Sequence, residues 1–225
     1  MDTLATIVKN DISSFLERNK ELLFNERDFQ MHLATYLRNT KKYDDVDVEY
    51  YVPFAELDNY ILENEFRIYI DIVVRKAEEY LPVELKYKTK KVEQKISCFG
   101  EELKQKCEVM KNQGAQDIGK YGFWKDVSRV ELVRKRFKSI KNGIAVFLTN
   151  DNYYLKSGRE DSNCIQFSMT EGVHKRDKYW LNPESRCAKD NKNFSVEKDY
   201  SISWKNVSFY IGSEKHDFYY CIVII

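Results

Sequence analysis

Apolar residues recur at helical spacing through the first part of the chain. Leu4, Ile7, Val8, Ile12, Phe15, Leu16, Leu22 and Leu23 form a stripe that breaks near Asn19. Asn25 is a suitable N-cap, and Phe29, Leu33 and Leu37, four apart, predict a helix over 26–37 with Glu26 and Gln30 beside its buried stripe. An acid at that start also suits the helix dipole. The period then changes: "YYVPF" (50–54), "FRIYIDIVVR" (66–75) and "YLPVELKYK" (80–88) are rich in Ile, Val and Tyr and predict strands, with "KAEE" as a hairpin loop between the last two. Residues 89–112 carry both helical and alternating signals and are assigned to neither. From 115 to 137, Ile118, Tyr121, Trp124, Val127, Val130 and Val133 recur every three positions, and basic residues crowd the end, which predicts a long helix. "GIAVFLTN" (143–150) predicts a buried strand. After Asp151 the pattern weakens until "YSISWKNVSFYIG" and the terminal "FYYCIVII", whose unbroken apolar run argues for a buried strand rather than an exposed edge.

This order predicts an α/β domain with one mixed central sheet flanked by helices. Three prolines and eight glycines spread over 225 residues leave no linker, so one domain over 1–225 is expected, with a core at about 24–150 and a strand-rich extension at 151–225. The net charge of +1 excludes a global field that would draw the chain onto a polyanion or an anionic membrane, so any such site must be local. The five cysteines are odd in number, widely spaced and without histidines at ligand spacing, which points to reduced thiols and away from zinc. There is no basic leader, no run of 18 apolar residues and no Walker-type phosphate loop. The expectation is a cytoplasmic protein without membrane contact.

The chemistry concentrates in "IDIVVRKAEEYLPVELKYK", residues 70–88. Alternation along a strand puts Glu84 and Lys86 on one face and Val83 and Leu85 on the other. Asp71 sits among Ile70, Ile72, Val73 and Val74, where an uncompensated carboxylate would cost several kcal/mol. A hairpin would bring Asp71 beside Glu84, within reach of a shared ion. Magnesium fits two carboxylates plus a backbone carbonyl, here that of Leu85. A solvated Glu84–Lys86 ion pair on a half-exposed sheet is the plainer alternative.

Asp71, then Glu84-Leu85-Lys86, preceded by the helical acid Glu26, resembles the PD-(D/E)XK nuclease superfamily. The order helix with Glu, strand, strand with Asp, strand with Glu-x-Lys, helix covers about residues 24–150 and is similar to that superfamily's core. The segment "KNQGAQDIGKYGFWKDVSRVE" with "GIAVFLTND" resembles an uncharacterised bacterial branch of it. The resemblance implies a restriction-endonuclease-like fold and hydrolysis of phosphodiesters in nucleic acid, most often DNA, dependent on Mg²⁺ with Mn²⁺ as a substitute. It implies Asp71 and Glu84 as metal ligands, Lys86 as the residue that orients or deprotonates the attacking water, and Glu26 as an added metal or water ligand. The long helix would supply one more polar residue, with Gln113, Gln116, Asp117, Lys120 and Tyr121 as candidates. Two departures stand out: Ile70 replaces the proline of the motif's name, and the Q-x-x-x-Y pattern of one branch is absent, Gln116 and Tyr121 being five apart.

Lys86, Lys88, Lys90, Lys91 and Lys95 form one basic string, and Lys125, Arg129, Arg134, Lys135, Arg136 and Lys138 another. Each string alone reads equally as a solvated charged surface and as a rim for phosphates, and their bracketing of the acids favours the rim. His32, His174 and His216 are isolated and read as structural. Function remains open between a nuclease, an inactive nucleic-acid- or protein-binding module of the same fold, and a structural protein. The oligomeric state is also open, a homodimer being one option.

Overall fold

The first two helices begin where side-chain caps allow. α1 (Leu4–Arg18) starts after Thr3, whose hydroxyl accepts from the Thr6 amide at 3.2 Å, and stops at Asn19. α2 (Glu26–Asn39) starts after Asn25, whose side-chain oxygen accepts from the Asp28 amide at 2.9 Å. Each cap satisfies one of the amides that a helix start leaves open. The computed structural model describes residues 2–53, 57 and 67–225. Phe54 and Phe66, at the ends of two predicted strands, lie outside the described residues.

The central sheet has six strands: β1 (Asp45–Pro53), β2 (Arg67–Lys76), β3 (Glu79–Lys88), β4 (Ile144–Thr149), β5 (Trp204–Ile211) and β6 (Glu214–Ile224), in the order β1-β2-β3-β4-β6-β5. β3 and β4 are parallel and every other neighbouring pair is antiparallel. The crossover between the parallel strands carries α3 (Gln116–Arg136). The mixed α/β architecture and the order helix, three strands, helix, strand over 26–149 match the expectation.

β1 begins five residues before the predicted "YYVPF", at Asp45. Its acids disfavour a strand locally, and pairing with β2 supplies what propensity lacks. β6 lies inside the sheet between β4 and β5, which accounts for the apolar C-terminal run. Residues 89–112 form antiparallel ribbons, Val92–Gln94 with Cys107–Met110 and Ser97–Cys98 with Glu101–Glu102.

One face of the sheet packs on α1 and α2, through Val8, Ile12, Phe29 and Leu33 against Ile72, Val83, Leu85 and Val146. The other packs on α3, through Trp124, Val127 and Val130 against Ala145, Phe147 and Val223. Residues 151–202 then cover the outer side of α3 with Phe167, Trp180 and Tyr200. This leaves α3 buried nearly all round. Among the described residues, no helix is long and apolar enough to cross a membrane.

Candidate active site

The sheet is interrupted on both sides of Asp71. β2 and β3 pair from Lys76 and Glu79 up to Ile72 and Val83, and the ladder stops one step before Asp71 would face Glu84. There the Leu85 amide donates to the Asp71 carboxylate, at 2.6 Å, in place of a ladder bond. On the other edge, the register with β1 passes from Val48–Ile72 to Tyr50–Ile70 and skips Glu49, which has φ 51°. Such a backbone is uncommon outside glycine and marks a locally constrained residue. Gln30 of α2 fills the gap: its side-chain amide donates to the Asp71 carbonyl at 2.7 Å and to the Glu49 carboxylate at 3.0 Å.

Strand alternation turns Val83, Leu85 and Tyr87 toward α1 and α2, and Glu84 and Lys86 toward α3. Arg129 Nη1 donates to Glu84 Oε1 at 2.9 Å and lies 3.6 Å from Asp126 Oδ1. Lys86 Nζ lies 2.9 Å from Asp126 Oδ2. Glu26, the first residue of α2, reaches β3 from the opposite face, where its Oε2 accepts from the Tyr87 amide at 2.7 Å. Asp71, Glu84, Asp126, Glu26, Lys86 and Arg129 thus form one electrostatic cluster where β2 and β3 part.

The charges are strained in a specific way. Burial pushes the Asp71 carboxyl up to about 6; the Leu85 N–H opposes this, while Asp126 and Glu26 reinforce it. Burial also raises Glu84 well above the ordinary carboxyl value, with Arg129 opposing and Asp71 and Asp126 adding to the rise. Glu84 acts on Asp71 in the lowering direction, so the two acids do not raise one another symmetrically. Burial works against the Lys86 ammonium, yet Asp126, Glu26 and Glu84 hold its pKa above the usual lysine value. Lys88, next along the same strand face, is lowered by burial and then by Lys86.

Asp71 and Glu84 suit a divalent cation by their donor chemistry. Both are hard oxygen donors, and the charge of Asp71, with that of Asp126, raises Glu84, a repulsion that a cation would relieve. Among the described residues, no three or more His, Cys, Asp or Glu side chains form a ready-made cage. The fit is that of a carboxylate pair, the way magnesium is commonly held with several waters retained.

The other predicted positions lie elsewhere. The Gln113 amide donates to the Thr89 carbonyl at 2.8 Å, just past β3. Asp117 accepts from its neighbour Ile118 and faces Cys187 Sγ at 3.5 Å. Tyr121 packs against Phe167, Trp180 and Phe194 and donates to the Lys192 carbonyl at 3.1 Å. Asp117 and Tyr121 therefore sit on the side of α3 turned to residues 151–202, away from the cluster. Gln116 donates to Asp151 at 3.2 Å, and Lys120 stacks over the Tyr153 ring at 4.6 Å. The α3 residues that reach the site are Asp126 and Arg129, which the sequence reading did not single out as site residues. Their signal was an acid and a base three apart inside an otherwise apolar helical pattern.

The basic strings are largely satisfied internally. Lys90 pairs with Asp151 at 2.9 Å, Lys91 with Glu93 at 2.5 Å, and Arg134 and Lys135 share Glu197. Comparison of the chain with protein-family models, with curated proteins and with solved structures gives no match.

Proposed function

We propose that the chain is a metal-dependent phosphodiesterase acting on nucleic acid, DNA in the first instance, with a restriction-endonuclease-like core. The observation that carries this reading is the meeting of Asp71 and Glu84 across the break between β2 and β3, with the Lys86 ammonium on the same face. Acids that repel one another in a buried place suggest a site that awaits positive charge. When bound, a divalent cation would polarise a phosphoryl oxygen and acidify a water.

The chain's own residues supply the rest. Asp71 and Glu84 would hold the cation, and Glu26, near enough to raise Asp71, would add negative charge beside it. Lys86 remains protonated at neutral pH through its contact with Asp126, so its role is to orient water and offset charge at the phosphorus rather than to take a proton. Gln30 and the Leu85 amide fix Asp71 from both sides.

Incubation with single- and double-stranded DNA and with RNA, in Mg²⁺ or Mn²⁺, tests the reading. Cleavage that Glu84→Ala abolishes supports it, and the absence of any such cleavage across substrates defeats it.

One observation favours a second reading, a binding module that keeps the frame without turnover. Glu84 is 2% exposed and already matched by Arg129. Calorimetry with Mn²⁺ separates the two, because the module requires no metal binding.

A further inference from the structure

A cavity of about 230 Å³ lies beside the acid cluster, beneath the end of α3. Its floor includes Val73 and Pro82, which face each other across β2 and β3, and its roof includes Val133 of α3. Two residues further along each strand stand Asp71 and Glu84, and Arg129, which bonds Glu84, precedes Val133 by one helical turn. Cavity and acids are therefore neighbours in both layers, offset by about 7 Å along the strands and about 6 Å along the helix.

The two places differ in chemistry. The cluster is charged throughout, whereas none of the described residues that line the cavity carries a charge. Tyr50, Tyr51, Tyr80 and Phe137 give it aromatic side chains, and its hydroxyls come from these tyrosines and Ser139. An anion finds no counter-charge there, but a flat neutral ring finds other rings to stack on and hydroxyls for its polar edge. At the mouth, Tyr50 and Tyr51 are 38% and 50% exposed, and the Tyr51 ring lies 5.6 Å from that of Tyr69, itself 42% exposed. Tyr69 stands two residues before Asp71 and Val73 two after it, so exposed rings and cavity bracket the acid along β2. Large rings left to water around a concave place mark a surface that meets a ligand.

We infer that this cavity receives one unstacked base of the nucleic-acid strand whose phosphate lies over Asp71 and Glu84. The choice of occupant rests on the proposed phosphodiesterase function, which puts a backbone at the acids. The volume falls below the roughly 300–1,000 Å³ of sites for drug-sized ligands and suits a single ring system. A nucleotide turned out of its stack spans the offset between the two places. The substrate is thereby narrowed to a strand with an accessible base, either single-stranded or a duplex opened at one position. Tyr50 and Phe137 are the binding residues, and they act by stacking.

Fluorescence anisotropy tests this with two labelled strands of equal length, an oligothymidine and its abasic counterpart, on the full chain in EDTA and in Ca²⁺. The oligothymidine binds about 5- to 100-fold more tightly, the range that one base stacked on aromatic side chains contributes. Tyr50→Ala and Phe137→Ala each shrink that ratio and leave the affinity for the abasic strand unchanged. Ser139→Trp, at an exposed position, fills the cavity without removing a ring and has the same effect. Equal affinity for the two strands, binding of neither, or a ratio untouched in all three folded variants overturns the inference. Cleavage in Mg²⁺ with equal affinity for the two strands removes the base contact and leaves the nuclease reading standing. A base-dependent affinity that the variants abolish, with no cleavage in any metal, does the reverse.

Discussion

Glu84 and Glu131 are buried alike, 2% and 3% exposed, and burial raises the pKa of both, yet their surroundings differ in kind. Glu131, on α3, accepts from the Tyr200 hydroxyl at 2.7 Å and from the Glu197 amide at 2.8 Å, and so ties residues 194–202 to the helix. Its main partners are neutral donors that ask nothing further. Glu84 faces Asp71 and Asp126 as well as Arg129, so part of its environment opposes its charge. The lysines repeat the contrast. Lys178, 1% exposed, sits 3.7 Å over the Trp124 ring and donates to the Gln166 carbonyl, and burial lowers it to about 7 despite Asp199 and Asp177. Lys86 touches Asp126 and is held above the usual value. Burial of a charge alone does not mark a site; convergence of like charges with a cation beside them does.

The most direct way to break this contrast is to neutralise each acid in turn. Glu84→Ala should lower metal-dependent cleavage by at least about 10²–10³-fold. Glu131→Gln should leave the rate within a few-fold while costing about 1–3 kcal/mol in urea unfolding, because it disturbs only a buried hydrogen-bonded tie. If Glu131→Gln abolishes cleavage in a folded protein, the division between the two regions is wrong.

Next in size, Asp126→Ala should destabilise by about 3–5 kcal/mol in denaturant titration, since it leaves Lys86 without its contacting acid. Asp126→Asn should cost less, and both should move the pH profile of cleavage, which a purely structural residue would not do.

Lys178 offers a pH test of the covering region. Its folded pKa, about 7, is below the unfolded value of 10.5, so the unfolded chain binds more protons between those values and stability rises with pH there. From pH 7 to 9 this contributes about 2 kcal/mol, and Lys178→Met should remove that part of the slope. Equal slopes in the two proteins would mean that the ammonium is better solvated than its placement implies.

Asp71 offers a second pH test, with the opposite sign. Its folded pKa, about 6, is above the unfolded value of 3.8, so its stabilising contribution is full below pH 4 and is lost as pH rises through 6. The gap of about two pKa units caps the loss at about 3 kcal/mol, and Asp71→Asn should flatten it. Mg²⁺ should raise the melting temperature more at pH 7.5 than at pH 4.5, because protons compete for the same oxygens. Thermal shift across pH, with and without metal, reads this directly.

Much of the frame was legible because it is written in short-range patterns. The Asn25 cap, the Phe29–Leu33–Leu37 stripe, the β-branched runs around Asp71 and Glu84, and the buried strand at 144–149 each reflect a local rule. The α3 partners were not legible as such. Residues 151–202 cover the outer side of that helix, so buried residues appear all round it and periodicity cannot say which face meets the sheet. Asp117 and Tyr121 therefore stand among the sequence candidates, and Asp126 and Arg129 do not. The ribbons within 89–112 escaped for a related reason, since strands of two to four residues carry too few positions to show a period.

The sequence by itself determined the element order and that Glu84 and Lys86 share one side of β3, because alternation follows from the extended conformation of any strand whatever its neighbours. Only the tertiary structure decided that the β2–β3 ladder ends at Asp71, that the β1–β2 ladder omits the Glu49–Asp71 pair where Gln30 bonds to both residues, and that Asp126 and Arg129 come down on the pair. Those contacts join residues 14 to 45 positions apart. They depend on how a helix is rotated and where a ladder fails, and both are set by packing across the whole sheet rather than by any local run of residues.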